Sequence, residues 1–179
     1  MQIRTVGDDM RIMGVDSSTV CTGYSILDDE TLVCCNRVKT FDSNNKILDI
    51  YNKLKAMIEE YKPDQIAMEE GFVGGKNKGN VLLLAEVRGA VKLLAQQYNL
   101  PITTYFPSTI KKAVAGKGDA EKMEVYISLK NRYEGDSVFE GIGAYSEKEY
   151  KKKPVIKTDD MFDSIAIGLT HLYKLRAIA

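Results

Sequence analysis

Met10-Arg11-Ile12-Met13-Gly14-Val15-Asp16 reads as a β-strand that ends on an acid. A polar turn, Ser17-Ser18-Thr19-Val20-Cys21, leads into a second strand, Thr22-Gly23-Tyr24-Ser25-Ile26-Leu27. Asp28-Asp29-Glu30 is a hairpin turn and residues 31–39 form a third strand, so the three make an antiparallel meander. The hydrophobic period then changes. Ile47, Tyr51, Leu54, Ile58 and Tyr61 recur at helical spacing over 45–61, with Leu48 and Met57 widening the stripe and Pro63 closing it. Gln65-Ile66-Ala67-Met68-Glu69-Glu70 is a short strand that again ends on acids. A helix over about 80–98 turns Leu83, Val87, Val91 and Leu94 inward, and Pro101-Ile102-Thr103-Thr104-Tyr105-Phe106 is the fifth strand. A meander followed by alternating helices and strands predicts an α/β domain. Its five-stranded mixed sheet combines the meander with two parallel strands and is flanked by helices.

The rest of the chain fits one such domain spanning residues 1–179. Pro107-Ser108-Thr109 opens a short helix, and Gly116-Lys117-Gly118 separates it from another at Asp119-Ala120-Glu121-Lys122. Residues 1–9 read as a loose extension, and 134–157 lose all periodicity, which predicts a mobile loop. With 44% hydrophobic residues in 179, the chain can bury a real core. No apolar run reaches the length of a membrane span and no secretory leader opens the sequence, so a cytoplasmic protein is expected. Cys21, Cys34 and Cys35 form no C-x-x-C pair, and adjacent Cys34 and Cys35 point to opposite faces of their strand.

Net charge is zero, yet its distribution is uneven. Residues 72–132 hold 10 Lys/Arg against 4 Asp/Glu, whereas residues 1–71 hold 8 against 13. An electropositive middle third suits a phosphate-binding face. It includes the glycine-rich basic loop Gly71-Phe72-Val73-Gly74-Gly75-Lys76-Asn77-Lys78-Gly79-Asn80.

The last helix begins Thr158-Asp159-Asp160-Met161-Phe162-Asp163, and Met161, Ile165, Leu169 and Leu172 mark its buried stripe. Capping accounts for one or two of its three acids. Asp160 and Asp163, three apart, project from one face. Sites in open α/β sheets gather at strand carboxyl ends. If the first and fourth strands are neighbours there, Asp16, Glu69, Asp160 and Asp163 converge, and a divalent cation relieves their repulsion.

These segments resemble the RuvC-type Holliday junction resolvases of the RNase H-like superfamily. Gly14-Val15-Asp16-x-Ser18-x-x-x-Thr22-Gly23-Tyr24 is similar to that family's first-strand motif, and Ala67-Met68-Glu69-x-x-Phe72 to its glutamate motif. Lys111-x-x-Val114-x-Gly116-x-Gly118-x-Ala120-Glu121-Lys122 is similar to its basic segment. Asp160-x-x-Asp163-Ser164-Ile165-Ala166-Ile167-x-Leu169-Thr170-His171 is similar to its last helix. The resemblance implies an RNase H-like fold and a structure-selective endonuclease that cuts Holliday junctions and related branched DNA by two-metal phosphodiester hydrolysis. It implies Asp16, Glu69, Asp160 and Asp163 as catalytic metal ligands for two Mg²⁺ ions, with Mn²⁺ as substitute. Lys122 joins them as a catalytic lysine beside the scissile phosphate. Glu69 rather than Glu70 matches the family glutamate, and Asp159 falls outside the pattern and reads as a cap. Phe72, Lys76, Lys78, Lys111, Lys112 and Lys117 are the expected DNA contacts, with the Phe72 ring stacking on an unpaired base. Two symmetric cuts imply a homodimer, with the second helix as its interface.

Ser17-Ser18 replaces the family's common Pro-Gly, and the segment 134–157 is longer than its counterpart, which suggests a divergent or phage-encoded branch. His171 stands 11 residues after Asp160, about 16 Å along a helix at 1.5 Å per residue, and reads as structural. A flap or replication-fork nuclease on the same fold and a non-catalytic branched-DNA-binding protein are the alternatives. An actin-like nucleotide-binding domain would need a duplicated hairpin that the chain is too short to hold.

Overall fold

The computed structural model of the chain describes residues 10–18, 20–40, 44–70, 78–142 and 159–178, with side chains of the second helix described from residue 81. Three strands open it, β1 (Arg11–Asp16), β2 (Cys21–Asp28) and β3 (Thr31–Lys39). The β2–β3 hairpin turns at Asp29, whose φ of 50° is a left-handed conformation that aspartate tolerates. Helix α1 (Lys46–Tyr61) ends on left-handed Lys62, immediately before Pro63, and delivers the chain to β4 (Gln65–Glu69). Then follow α2 (Lys78–Gln97), β5 (Ile102–Tyr105), α3 (Pro107–Ala115), α4 (Lys122–Arg132), α5 (Ser137–Glu140) and α6 (Asp159–Arg176).

The sheet order is β3-β2-β1-β4-β5. The β1–β2 and β2–β3 pairs are antiparallel, and the β1–β4 and β4–β5 pairs are parallel. This is the expected mixed five-stranded sheet, with β1 at its centre beside β4.

Because side chains alternate across a strand, each central strand feeds two cores. Met13, Val15, Tyr24, Ile26, Ile66 and Met68 pack on one face against Ile50, Leu54, Ile58, Val87, Val91 and Leu94 of α1 and α2. Ile12, Leu27 and Ala67 point the other way, toward Ile110, Leu129, Ile165 and Leu169. In α1 the inward face is rotated from the expected stripe: Ile50 is fully buried and Leu48 is exposed.

Two further expectations change. α6 is more than an amphipathic helix with a stripe, since Met161, Phe162 and every residue from Ser164 to Leu172 are buried. The sheet lies beneath it, and α3 and α4 flank it. Of the segment 134–157, expected as a mobile loop, residues 134–142 are described and carry a short helix. Asp136 caps α5 by accepting from the Val138 and Phe139 amides, and Phe139 stacks between Tyr133 and Tyr126 beside Phe162. Residues 143–157 and the extension 1–9 lie outside the described residues.

Candidate active site

Two close backbone approaches set the depth at which α6 lies on the sheet. A Cβ on Gly14 would fall onto the Ser164 carbonyl oxygen, and one on Gly23 onto the Asp160 carbonyl. Only glycine lets helix and strand backbones come this near. Gly23 is the register partner of Asp16, so the first turn of α6 is seated on the carboxyl end of β1. On the other side of β1, Val15 pairs with Met68, which brings Glu69 alongside Asp16. Ser25 Oγ donates to the Ser164 carbonyl oxygen at 2.9 Å and holds the seat.

Asp16, Glu69, Asp160 and Asp163 are thereby brought to one edge of the sheet, where Asp16 feels the other three and Asp163 also acts on Glu69 and Asp160. Burial pushes the Asp16 carboxyl well above the usual carboxylate range, and Asp163, Asp160 and Glu69 push it further. Glu69 is raised by burial and then by Asp163. Asp160 is raised to about 6, chiefly by burial, although the Cys21 thiol hydrogen-bonds to it and favours the charged form. Asp163 is raised by burial against the pull of Lys122. Four acids raised together describe a site short of positive charge.

Lys122 supplies part of it. Its Nζ donates to Asp163 at 2.9 Å and to Asp159 at 3.2 Å. Burial would lower its pKa, but these two carboxylates raise it. Asp159, expected as a cap, thus stands in the first turn of α6 as a partner of Lys122. Lys111 of α3 is near enough to favour the charged forms of Glu69 and Asp163. Lys112 is exposed on the same helix, and Lys117 is exposed but engaged with Glu124 at 2.7 Å. Phe72 and Lys76 lie outside the described residues, and Lys78 opens α2 with its side chain outside them.

Three contributors escaped the sequence. Arg88 of α2 is buried, binds Glu70 at 3.0 Å and also favours the charged form of Glu69. Its burial is the missing signal, since a helical arginine ordinarily reads as a solvated charge. Cys21 touches Asp160 through its thiol. Phe106 follows Tyr105, the register partner of Glu69, and is 63% exposed at the same sheet edge. At the Ser17-Ser18 turn, Thr22 Oγ1 donates to the Ser18 carbonyl at 2.9 Å, and Ser18 Oγ accepts from the Val20 and Cys21 amides at 3.4 and 3.5 Å.

His171 is structural, as its distance along the helix implied. Its Nδ1 lies 2.7 Å from the Tyr105 hydroxyl and its Nε2 2.9 Å from Gln65 Oε1, and burial lowers its pKa to about 4. The neutral ring accepts from Tyr105 and donates to Gln65.

Among the described residues, no three His, Cys, Asp or Glu side chains are drawn together tightly enough to form a ready-made metal cage. The donor chemistry nonetheless fits a hard divalent cation. All four groups are carboxylates, and Mg²⁺ is held by a few carboxylates together with water and substrate phosphate. An all-thiolate or imidazole-rich set would have pointed to zinc instead.

Comparison with known proteins bears on what this edge is. The family model for "Crossover junction endodeoxyribonuclease RuvC" matches residues 12–132, about two thirds of the chain. The chain belongs to the RuvC family. Proteins of that name from Pelotomaculum thermopropionicum and Syntrophomonas wolfei are 32% identical over 171 residues and 28% identical over 178 residues. The first alignment covers 92% of this chain and 93% of the relative, the second 93% and 91%. The solved RuvC structure from Thermus thermophilus shares the fold, with a TM-score of 0.73 at 23% identity over 94% of this chain and 96% of that one. The yeast mitochondrial Holliday junction resolvase Ydc2 shares it with a TM-score of 0.65 at 15% identity, over 97% and 83%. The family model stops before α6, whereas the alignments with both relatives are long enough to take in its two aspartates.

Proposed function

We propose that this chain hydrolyses phosphodiester bonds in Holliday junctions and related branched DNA, as a homodimer using two Mg²⁺ ions, or Mn²⁺, per site. One observation carries the reading: Asp16, Glu69, Asp160 and Asp163 arrive from three separate elements at one sheet edge, where burial raises all four and Asp16 is raised further by the other three. A fold gains no stability from such crowding, so the arrangement makes sense when cations complete it. The four carboxylates would hold the ions, which when bound supply the charge that activates water and stabilises the departing 3′ oxygen. Lys122 and Lys111 face the same edge and offset charge developing on the phosphoryl oxygens. Exposed Lys112, and Phe72, Lys76 and Lys78 of the glycine-rich segment, extend the DNA contacts, while Lys117 reaches DNA only by leaving Glu124.

The dimer has its own support. α2 leaves Leu82 67% exposed and Leu93 52% exposed, with exposed Ala85 and Gly89 between them. A Cβ on Gly89 would meet nothing within 4 Å. Spacings of three, four and four align these residues on one side of the helix, an apolar stripe suited to a copy of itself.

Cleavage of a synthetic four-way junction, a Y-fork and a linear duplex, measured in one Mg²⁺-containing assay, tests the reading. The junction is expected to be cut fastest, with paired symmetric nicks. Asp16→Asn or Asp163→Asn should lower the rate by on the order of 10²–10³-fold while junction binding survives. Preference for the fork would favour a flap or fork nuclease, and loss of binding in both variants would assign the acids a structural role.

A further inference from the structure

We propose that Asp159 is a positioning residue: it keeps the Lys122 ammonium at the rim of the acid cluster when Asp163 turns its carboxylate to a divalent cation. The proposal rests on the cation-binding reading given above and adds to it a residue outside the four acids.

Lys122 occupies an unfavourable place for a cation. It is the first residue of α4, where the helix dipole is positive and an acid would be the stabilising choice. Its backbone is nevertheless fixed. Glu121 and Glu124 form a reciprocal capping box at this turn, and Lys117 holds Glu124 at 2.7 Å. Only the side chain is left to move, and carboxylates of α6 decide where it goes. Two of them share it, Asp163 at 2.9 Å and Asp159 at 3.2 Å.

These two differ in what else they face. Asp163 is coupled to Asp16 and Glu69 and belongs to the cluster. Asp159 stands four residues earlier on the same side of α6, next to α4; it acts on Asp160 and Asp163, whereas Asp16 is raised by burial and then by Asp163, Asp160 and Glu69. A cation drawn into the cluster competes with the ammonium for Asp163. Asp159, outside the four acids, is left to the ammonium. With Asp159 present, Lys122 keeps one carboxylate and stays within reach of an incoming phosphate. Without it, a lysine with a flexible four-carbon stem is released to solvent.

The full-length chain, ¹³C-labelled at lysine, provides the test, with Lys122→Gln identifying the Lys122 signal and Ca²⁺ as the probe cation. The Lys122 ε-methylene should stay immobilised on Ca²⁺ addition in the wild type and become mobile in Asp159→Asn. Equal ordering in both proteins would overturn the proposal. A double-mutant cycle on single-turnover cleavage with Mg²⁺ gives the second readout. Asp159→Asn should slow cleavage roughly 10-fold with Lys122 present and less than about 2-fold in the Lys122→Gln background. Effects that simply multiply would overturn it as well. If Ca²⁺ leaves the chemical shift of the Lys122 signal unchanged in the wild type, the cation reading itself falls, and this proposal with it.

Discussion

Glu69 and Glu70 are neighbours in sequence and opposites in environment. Glu69 points to the α6 face, among Asp16, Asp160 and Asp163, and its pKa is raised by burial and by Asp163. Glu70 points to the α2 face, where Arg88 binds it at 3.0 Å and the Thr104 hydroxyl donates to it. Its pKa is lowered, first by Thr104 and then by Arg88 against some burial. One carboxylate has its counter-charge built into the fold. The other sits where the fold provides too little, since Lys122, Arg88 and Lys111 do not offset its burial and Asp163. That contrast separates an acid satisfied within the fold from one left short of counter-charge more sharply than burial does.

The largest expected effect breaks the pair apart by activity. Glu69→Gln should lower junction cleavage by on the order of 10²–10³-fold, whereas Glu70→Gln should stay within about 3-fold of the wild type. Equal losses would mean that both act through the integrity of β4.

Stability should rank the two faces the other way. Arg88→Met removes the cation from Glu70. Because Glu70 is about one-third exposed, the expected loss is only about 1–2 kcal/mol, seen as a lower Tm in thermal denaturation. Asp16→Asn relieves crowding instead, so the cation-free protein should melt roughly 2–4 °C higher, the shift that 1 kcal/mol produces in a chain of this size. Added Mg²⁺ should raise the wild-type Tm and leave that of Asp16→Asn nearly unchanged.

The smallest effect is in pH, and it has opposite signs on the two faces. The clustered acids hold protons more tightly folded than unfolded. Their contribution is complete below the ordinary carboxylate range and is lost as pH rises through the folded values, about 6 for Asp160. Glu70 contributes above its ordinary value of 4.5 and loses that contribution as pH falls through its lowered folded value. Cation-free melting curves from pH 4 to 8 should therefore flatten with rising pH in Asp16→Asn relative to the wild type. A parallel profile would contradict the crowding.

Much of this was legible in the residues. The meander, the change to helical period and the acids at strand ends led to the five-stranded mixed sheet and to four acids at one of its edges. The choice between Glu69 and Glu70 was not legible from alternation, because β4 is covered on both faces: Ile66 and Met68 enter one core and Ala67 the other. The motif resemblance selected Glu69, and the Arg88 pair explains what Glu70 does. α5 escaped because Ser137–Glu140 is a single turn, too short to establish a period. The Lys122–Asp159 pair spans 37 positions and leaves no local trace beyond a lysine at a helix N-terminus, where the dipole disfavours it.

Mn²⁺ binding followed by electron paramagnetic resonance, on the wild type, Asp16→Asn, Glu69→Gln and Glu70→Gln, addresses the cation site most directly. The expected result is binding by the wild type and Glu70→Gln, with affinity at least about 10-fold weaker in Asp16→Asn and Glu69→Gln. Equal binding by all four proteins would contradict the assignment of this sheet edge as the site.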